Sequence, residues 1–311
     1  ARSRSGQTCD VDTEREHGAP SGSAVLPDEE VLPDEEELPD EELLQGGVAN
    51  AGAVVRVGAH VLRPSNRRTP TIHRFLRDLR AVGFDGASEP VGVDADGRER
   101  LVFIPGDVAV PPFPAWVQSD EAIASVARLL ARFHSASARV DPTGPWSDEM
   151  VDPRAGDLER STLVVCHNDV CPENVVFRGG EAVGLLDFDF AAPGRPVYDL
   201  AAFVRMCVPV TDDGFAERVG FLPADRPGRV RVACDAYDDA AAVVLGTAGR
   251  AELLTILDRS IAHGGEWVRS KVEAGHPGFV EMWEQIGGQA TFDRRRAWWA
   301  ESRPAFAAAL A

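Results

Sequence analysis

Apolar positions change their spacing about one third of the way along the chain. Between Gly46 and Ile104, short runs such as Val54–Val57 and Val61–Leu62 alternate with polar or small residues. This period-two pattern is typical of half-buried antiparallel strands. After Pro114, apolar residues recur every three or four positions instead, which indicates helices. The pattern therefore predicts a small β-rich part followed by a larger, mainly helical part.

One helix is predicted inside the β-rich part. Its apolar stripe consists of Ile72, Phe75, Leu76 and Leu79, over residues 71–82. Pro70 near the start and Gly83 just past the end are the punctuation expected of helix termini. A further strand pair, joined by an Asp-Ala-Asp-Gly turn, is predicted to follow it.

The helical part contains one predicted β-insert. Short strands are predicted at 163–166, 174–177 and 182–188, and Gly179-Gly180 makes a hairpin turn between the last two. Helices are predicted at 120–137, 197–208, 230–247, 249–262 and 291–310. The fold class is therefore α+β with two lobes, a β-rich N-lobe over 46–104 and a mainly helical C-lobe over 105–311.

The first 45 residues differ from the rest in composition. Residues 25–42 read VLPDEEVLPDEEELPDEE, and residues 28–42 hold ten acids and no base. Regular prolines interrupt helices, and like charges repel one another. We therefore predict a disordered acidic tail over 1–45.

Charge and cysteine usage exclude several classes of function. The net charge of −18 disfavours nucleic acid and anionic membranes as main partners. No apolar run approaches the roughly 20 residues of a membrane span, and the N-terminus lacks the apolar core of a secretory signal. Five scattered cysteines indicate free thiols in a reducing compartment. We expect a cytoplasmic protein whose oligomeric state the sequence does not indicate.

Candidate chemistry is concentrated in His167-Asn168-Asp169-Val170-Cys171-Pro172-Glu173-Asn174, between two predicted strands. Asp187 and Asp189 follow at the end of the next strand. Phosphoryl transfer needs a carboxylate that orients the attacking hydroxyl, together with an amide and a carboxylate that hold metal. One hairpin would bring Asp169, Asn174 and Asp187 together.

Two other interpretations of this segment remain open. It could be a polar turn without chemistry, because an H-x-D-x-x-x-x-N pattern alone is weak. It could also be a metal site built from Cys166, His167 and Cys171, although structural zinc sites usually use tighter paired spacings.

Residues 166–202 resemble the aminoglycoside phosphotransferase and choline kinase-like family, in particular an actinobacterial branch labelled trifolitoxin-immunity-like. The resemblance implies a two-lobed protein-kinase-like fold with ATP between the lobes. It implies Asp169 as the catalytic base and His167 as a structural member of the catalytic loop. Asn174 and Asp187 would bind Mg²⁺ with Asp189 as a further candidate, and Asp199 would brace the loop.

The predicted nucleotide site departs from that family. The family has a strand lysine paired with a helix glutamate, but the first lysine here is Lys271. Arg63 is the best replacement and Arg56 the second, and either His73 or Asp78 would have to serve as the helix partner. Gly46 and Gly47 are what remains of the glycine-rich loop. Adenine is expected to contact the backbone at Phe103 and Ile104.

The predicted substrate is a small molecule with a hydroxyl group, such as an aminoglycoside, another antibiotic or a metabolite. Only twelve residues separate Asp187 from Asp199, too few for a protein-kinase activation loop. A protein kinase remains one alternative. The other is a non-catalytic, kinase-shaped binding or immunity protein, suggested by the missing lysine and the short glycine loop.

Overall fold

The computed structural model describes residues 41–44 and 53–311. Gly46, Gly47 and most of the predicted acidic tail lie outside the described residues. The strands are β1 Glu41–Leu43, β2 Val55–Val57, β3 His60–Pro64, β4 Pro90–Val93, β5 Arg98–Val102, β6 Asp107–Val108, β7 Val164–Cys166, β8 Val175–Arg178, β9 Glu181–Leu185 and β10 Ala192–Gly194. The helices are α1 Thr69–Ala81, α2 Asp120–Ser137, α3 Pro196–Cys207, α4 Asp213–Arg218, α5 Arg226–Ala240, α6 Gly246–Glu273, α7 Pro277–Ile286 and α8 Gln289–Leu310.

The first five strands form one antiparallel sheet in the order β1-β2-β3-β5-β4. Strand β1 is exposed and pairs with β2, so the predicted tail extends too far by these residues. The side chains of Glu41 and Glu42 are exposed, and Glu41 forms an ion pair with Arg98 of β5. Acidic residues are therefore tolerated in this edge strand. In the centre of the sheet, Arg63 of β3 lies directly opposite Glu99 of β5.

Helix α1 joins the sheet to the helical lobe through its predicted apolar stripe. Phe75 is fully buried and makes edge-to-face contacts with Phe133 of α2, Trp146 and Phe188, at centroid distances of 6.2, 5.3 and 6.4 Å. Phe188 follows Asp187 directly. Aromatic packing therefore connects the helix of the small lobe to the segment that contains the candidate metal ligand.

The helical lobe confirms the predicted two-part architecture but not every helix boundary. Helix α5 ends at Ala240, seven residues before the predicted end, and Val243 and Val244 are 81% and 61% exposed. These valines lie in a connection that turns toward α6, so their apolar character does not mark a buried helix face. Helix α6 is longer than predicted, and the sequence analysis missed α4 and α7. No helix among the described residues has the length and apolar character needed to cross a membrane.

Two small antiparallel sheets carry the loops of the candidate site. Strand β7 pairs with β10, and β8 lies between β6 and β9. The loop from His167 to Asn174 connects β7 to β8, and the segment Asp187–Phe190 connects β9 to β10. Because β7 pairs with β10 and β8 pairs with β9, the two connections lie next to each other. The side chains of the two loops can therefore meet.

Replacing Phe75 with alanine should lower the free energy of unfolding by about 3–5 kcal/mol, because it leaves a cavity among three aromatic rings. Denaturant unfolding measures this loss. Leu222→Ala is the control, since Leu222 is 52% exposed and should change stability by less than about 0.5 kcal/mol. A loss below about 1 kcal/mol for Phe75→Ala would contradict the interlobe packing described here.

Candidate active site

The loop between β7 and β8 is held in place by one buried carboxylate. Asp199, near the start of α3, is fully buried and accepts hydrogen bonds from the backbone N–H groups of His167 and Asn168, at 2.6 and 2.8 Å. His134 of α2 bonds to the same carboxylate through Nε2 at 3.0 Å. Burial opposes ionisation of Asp199, but these hydrogen bonds and nearby charges outweigh it and lower its pKa.

The imidazole of His167 forms hydrogen bonds that stabilise the loop. Its Nδ1 accepts from the backbone N–H of Asp169 at 3.3 Å, so its Nε2 carries the proton and donates to the carbonyl of Leu186 at 2.8 Å. Both ring nitrogens are thus occupied. Residue His167 is placed to shape the loop and to tie it to the strand end that precedes Asp187.

Asp169 and Asn174 are paired across the loop. The Asn174 amide nitrogen donates to the Asp169 carboxylate and to its backbone carbonyl, both at 2.9 Å. Asp169 remains half-buried and accessible, whereas Asn174 is buried. Burial raises the pKa of Asp169 and the Asp187 carboxylate adds to this rise, while the charge of Arg205 and the hydrogen bond from Asn174 oppose it.

Arg63 bridges the sheet and the helical lobe. Its Nη1 donates to Asp187 Oδ1 at 2.8 Å, and its Nη2 donates to Asp189 Oδ1 at 3.1 Å. Asn66 also donates to Asp189, at 3.1 Å. Burial would lower the pKa of Arg63, but the charges of the surrounding carboxylates outweigh it and raise that pKa.

A buried glutamate on β5 completes the surroundings of Arg63. Glu99 accepts from Arg63 Nε at 2.5 Å, and its other oxygen bonds to His73 Nε2 of α1 at 2.7 Å. His73 therefore reaches Arg63 only through Glu99. Asp78, the other predicted helix partner, does not contact Arg63. The carboxylate expected from the helix comes instead from the neighbouring strand, with histidine linking it to the helix.

The pKa values of Asp187 and Asp189 are shifted in opposite directions. Burial opposes ionisation of Asp187, but the charge and hydrogen bond of Arg63 outweigh it and lower the pKa of Asp187. Burial also opposes ionisation of Asp189, and with Asp187 and Glu99 close by it raises the pKa of Asp189 despite Arg63. Asp187 is therefore the more readily ionised of the pair, and the stronger candidate for a metal ligand.

The arrangement fits a hard cation such as Mg²⁺. The Asn174 amide uses its nitrogen on Asp169, which leaves its oxygen without a hydrogen-bond partner in the described part of the chain. Asp187 uses only Oδ1 in hydrogen bonds. An amide oxygen and a carboxylate oxygen, on adjoining loops, are the ligand types that Mg²⁺ prefers.

The backbone groups predicted to contact adenine, at Phe103 and Ile104, lie at the lobe junction. The N–H of Phe103 already donates to the Ala59 carbonyl at 2.9 Å, so it is not free. The backbone groups of Ile104 have no hydrogen-bond partner within residues 41–44 and 53–311. The Phe103 ring lies under the guanidinium of Arg56, 4.1 Å from its centroid, so Arg56 does not take the role considered for Arg63.

Cys166, His167 and Cys171 do not come together as a zinc site in the described structure. Cys166 Sγ contacts the Arg195 carbonyl, while Cys171 lies on the other side of the loop near Cys207. Among the described residues, the one group with metal-ligating side chains close enough together is His134, Cys166 and Asp199. Its histidine and carboxylate are already hydrogen-bonded to each other, and burial raises the pKa of the Cys166 thiol well above its usual range. This group is structural.

Sequence reasoning missed Glu99, Asn66 and His134. Glu99 lies in the charged run Arg98-Glu99-Arg100, which resembles a solvated strand edge. Only the pairing of β3 with β5 places Glu99 opposite Arg63 and buries it. The available signal was strand alternation, which puts Glu99 on the face opposite to its two arginine neighbours.

Comparison with known proteins agrees with this geometry. A family model described as the phosphotransferase enzyme family matches residues 146–233. A trifolitoxin immunity protein of Rhizobium leguminosarum bv. trifolii is 36% identical over 180 residues, which are 57% of this chain and 67% of that protein. A homoserine kinase of Chelativorans sp. is 40% identical over 74 residues, which are 22% of this chain and 23% of that enzyme.

Solved structures share the fold. A choline/ethanolamine kinase family protein from Mesorhizobium loti superposes with a TM-score of 0.58 at 17% identity, covering 90% of this chain and 95% of that one. An aminoglycoside 2'-phosphotransferase in complex with GDP has a TM-score of 0.54 at 14% identity, with 85% and 94% covered. The chain belongs to the phosphotransferase enzyme family and has its two-lobed, protein-kinase-like fold.

Glu99→Gln should lower the free energy of unfolding by about 3–5 kcal/mol, because it removes the carboxylate closest to a buried guanidinium. In an Arg63→Met background the same change should cost much less, since the guanidinium that Glu99 compensates is absent. Chemical denaturation of the four proteins in this double-mutant cycle measures the coupling between the two residues. Additive effects would show that Glu99 and Arg63 act independently.

Proposed function

We propose that this protein is an ATP- and Mg²⁺-dependent phosphotransferase that acts on a hydroxyl group of a small molecule. The observation that supports it best is the convergence of Asp169, Asn174 and Asp187 at one edge, beneath Arg63 of the small lobe. A catalytic base, two metal ligands and a cation for phosphate oxygens are the parts that phosphoryl transfer requires. The cytoplasmic location expected from the sequence belongs to this proposal.

Asp169 is the proposed base. Its half-buried carboxylate is oriented by the Asn174 amide and can accept the proton of an acceptor hydroxyl. The hydroxyl oxygen forms a bond to the γ-phosphorus as the bond from that phosphorus to the β-phosphate oxygen breaks. The products are ADP and a phosphomonoester. Because the transition state is loose, Asp169 contributes mainly by orienting the hydroxyl.

Arg63, Asn174 and Asp187 serve the nucleotide. Mg²⁺, when bound, would neutralise charge that develops on the β- and γ-phosphates, and Asn174 and Asp187 would hold it, with Asp189 as a further ligand. Arg63 would direct its guanidinium toward the phosphate oxygens in place of the usual lysine. The Ile104 backbone would receive adenine at the lobe junction.

A small-molecule acceptor is favoured over a protein. Between Asp187 and α3 the chain makes only a short helical turn, Phe188–Phe190, and strand β10, so this segment contains no activation loop. The similar proteins include a homoserine kinase, an aminoglycoside phosphotransferase and a choline/ethanolamine kinase family protein. The substrates in these names are small compounds that carry hydroxyl groups. Antibiotic inactivation would be one use of such an enzyme.

The second candidate is a non-catalytic immunity protein with the shape of a kinase. Two observations favour it: the similarity to a trifolitoxin immunity protein, and an arginine already bound by Asp187 and Asp189 in the lysine position. Such a protein would bind its target without producing ADP.

Asp169→Asn should reduce acceptor-dependent ADP formation by about 100- to 10,000-fold while ATP affinity stays within a few-fold of wild type. The amide keeps the shape of the side chain but cannot take a proton. A coupled ADP assay over hydroxyl compounds, with ATP binding measured by calorimetry, tests both parts.

The matched control is Asp148→Asn, the same chemical change at an aspartate whose side chain is 76% exposed. It should leave turnover unchanged. Undiminished activity in Asp169→Asn would remove Asp169 from the mechanism. ATP binding by the wild type without turnover of any acceptor would favour the immunity protein.

A further inference from the structure

Two arginine side chains, Arg205 and Arg295, lie close enough for their charges to interact, and Arg205 also lies near Asp169. Arg205 is near the end of α3, and Cys207, two residues later, contacts the Val170 carbonyl of the catalytic loop at 3.5 Å. This contact holds the end of α3 against the loop, and the charges of Arg205 and Asp169 are close enough to interact. Arg295 of α8 interacts in turn with the charge of Arg205.

Arg295 is held rigidly by contacts that leave most of its donors free. Its Nε donates to Thr211 Oγ1 at 2.9 Å, and its guanidinium lies 4.9 Å from the Phe215 ring centroid and 5.5 Å from that of Phe292. In the described part of the chain, its two Nη groups have no acceptor. Phe215 and Phe292 thus fix the direction of a fork whose outer edge is available to a ligand.

Arg205 has no hydrogen-bond acceptor at all among the described residues. Its side chain is half-buried, and its nitrogens remain accessible to solvent or a small ligand. Arg195, by contrast, has Asp152 at 2.6 Å and Glu252 at 2.7 Å. A guanidinium that is partly withdrawn from water and has no acceptor is unfavourable, and an anionic ligand would supply the missing charge.

The surroundings of the pair contain few competing carboxylates. Asp212 is the acid nearest Arg295, but its Oδ1 caps α4 by accepting from the Phe215 N–H at 3.1 Å, and it forms no ion pair with Arg295 in the described structure. Asp213 is paired with Arg226 at 2.8 Å. Burial and the charge of Arg205 lower the pKa of Arg295 to about 10, the effect expected when like charges face one another without an anion.

We propose that Arg205 and Arg295 form an anion site that binds a carboxylate or phosphate group of the acceptor, while the acceptor's hydroxyl is presented to Asp169. This inference rests on the proposed function and specifies its substrate class. The substrate is then a small hydroxy acid or phosphorylated alcohol. Polycationic aminoglycosides and choline, which need acidic or aromatic surroundings, are disfavoured because the pair would repel them.

The position of the pair separates it from the nucleotide site. Arg295 belongs to α8, which packs against α5 and α6 within the helical lobe. Arg63, from the opposite lobe, contacts Asp187 and Asp189. The charge of Asp169 interacts both with Asp187, which binds Arg63, and with Arg205. A donor phosphate near Arg63 and an acceptor near Arg205 would therefore both be within reach of the base.

Matched acceptors that differ only in an acidic group give a direct test. Homoserine is compared with 3-aminopropan-1-ol, and glycerol 3-phosphate with glycerol, in the ADP assay. We expect kcat/KM to be at least about tenfold higher for the acidic member of one pair, since a charge-assisted hydrogen bond contributes at least that factor. The two pairs distinguish a carboxylate site from a phosphate site.

Arg205→Gln should abolish this preference: kcat/KM for the acidic acceptor should fall about 10- to 100-fold further than kcat/KM for its partner without the acidic group. Arg205→Lys, which keeps the charge, should retain part of it. Arg259→Gln makes the same charge change at an exposed arginine and should have no effect. An equal loss for acidic and neutral acceptors would instead assign Arg205 to the transferred phosphate and overturn the proposal.

Measuring ligand binding separately from turnover tests the anion site independently of the proposed function. The acidic compounds should raise the unfolding temperature of the wild type but not of Arg205→Gln. If they do so although no acceptor is phosphorylated, the anion site stands and the phosphotransferase proposal fails. If neutral or cationic acceptors are turned over and the acidic compounds neither bind nor react, the phosphotransferase proposal stands and the anion site fails.

The stability of Arg205→Met distinguishes a ligand-binding arginine from a structural one. Removing an unpaired, desolvated charge should raise the unfolding temperature of the free protein, whereas loss of a structural ion pair would lower it. A variant that is more stable but has lost acid preference agrees with a ligand-binding role. A less stable variant contradicts it.

Discussion

The site depends on the placement of one buried guanidinium among three carboxylates. Arg63 donates through separate nitrogens to Glu99 on the neighbouring strand and to Asp187 and Asp189 of the other lobe. A guanidinium provides five donors in a fixed fork, whereas an ammonium is a compact point charge. The Nε of Arg63 lies close to the backbone of β3, within reach of Glu99 on the adjoining strand β5. The carboxylate therefore comes from β5, and α1 contributes only His73. This network aligns the sheet with the strand end that presents Asp187.

A second buried charge organises the opposite side of the same cleft. Asp199 accepts from two successive backbone N–H groups of the catalytic loop and from His134, so the loop, α2 and α3 share one anchor. Asp169 is presented from that loop with its amide partner Asn174. The base and the proposed metal ligands therefore occupy positions set by buried ionic contacts, whose removal would leave uncompensated charges. Arg205 and Arg295 differ because neither forms an ion pair with a carboxylate in the described part of the chain.

Local patterns were sufficient for the fold class and for the stripe on α1, because apolar periodicity records which face of an element is buried. Spacing also brought Asp169, Asn174 and Asp187 into one hypothesis, since residues at successive strand ends meet at a sheet edge. Helix boundaries were less accurate: Val243 and Val244 extended an apolar run although they are exposed. The β1 residues were assigned to the acidic tail because pairing with β2 is not visible in their composition.

The sequence by itself determined the family, the two-lobed architecture and the identity of the loop residues, since these depend on short-range order along the chain. Tertiary structure alone decided which charges meet. Glu99 pairs with Arg63 because of strand register, and His73 reaches the site only through Glu99. The charges of Arg205 and Arg295 interact although the two residues lie 90 positions apart in the sequence. Electrostatic partners are chosen by distance in space, and residues separated by 36 positions, as Arg63 and Glu99 are, leave no local signature of their contact.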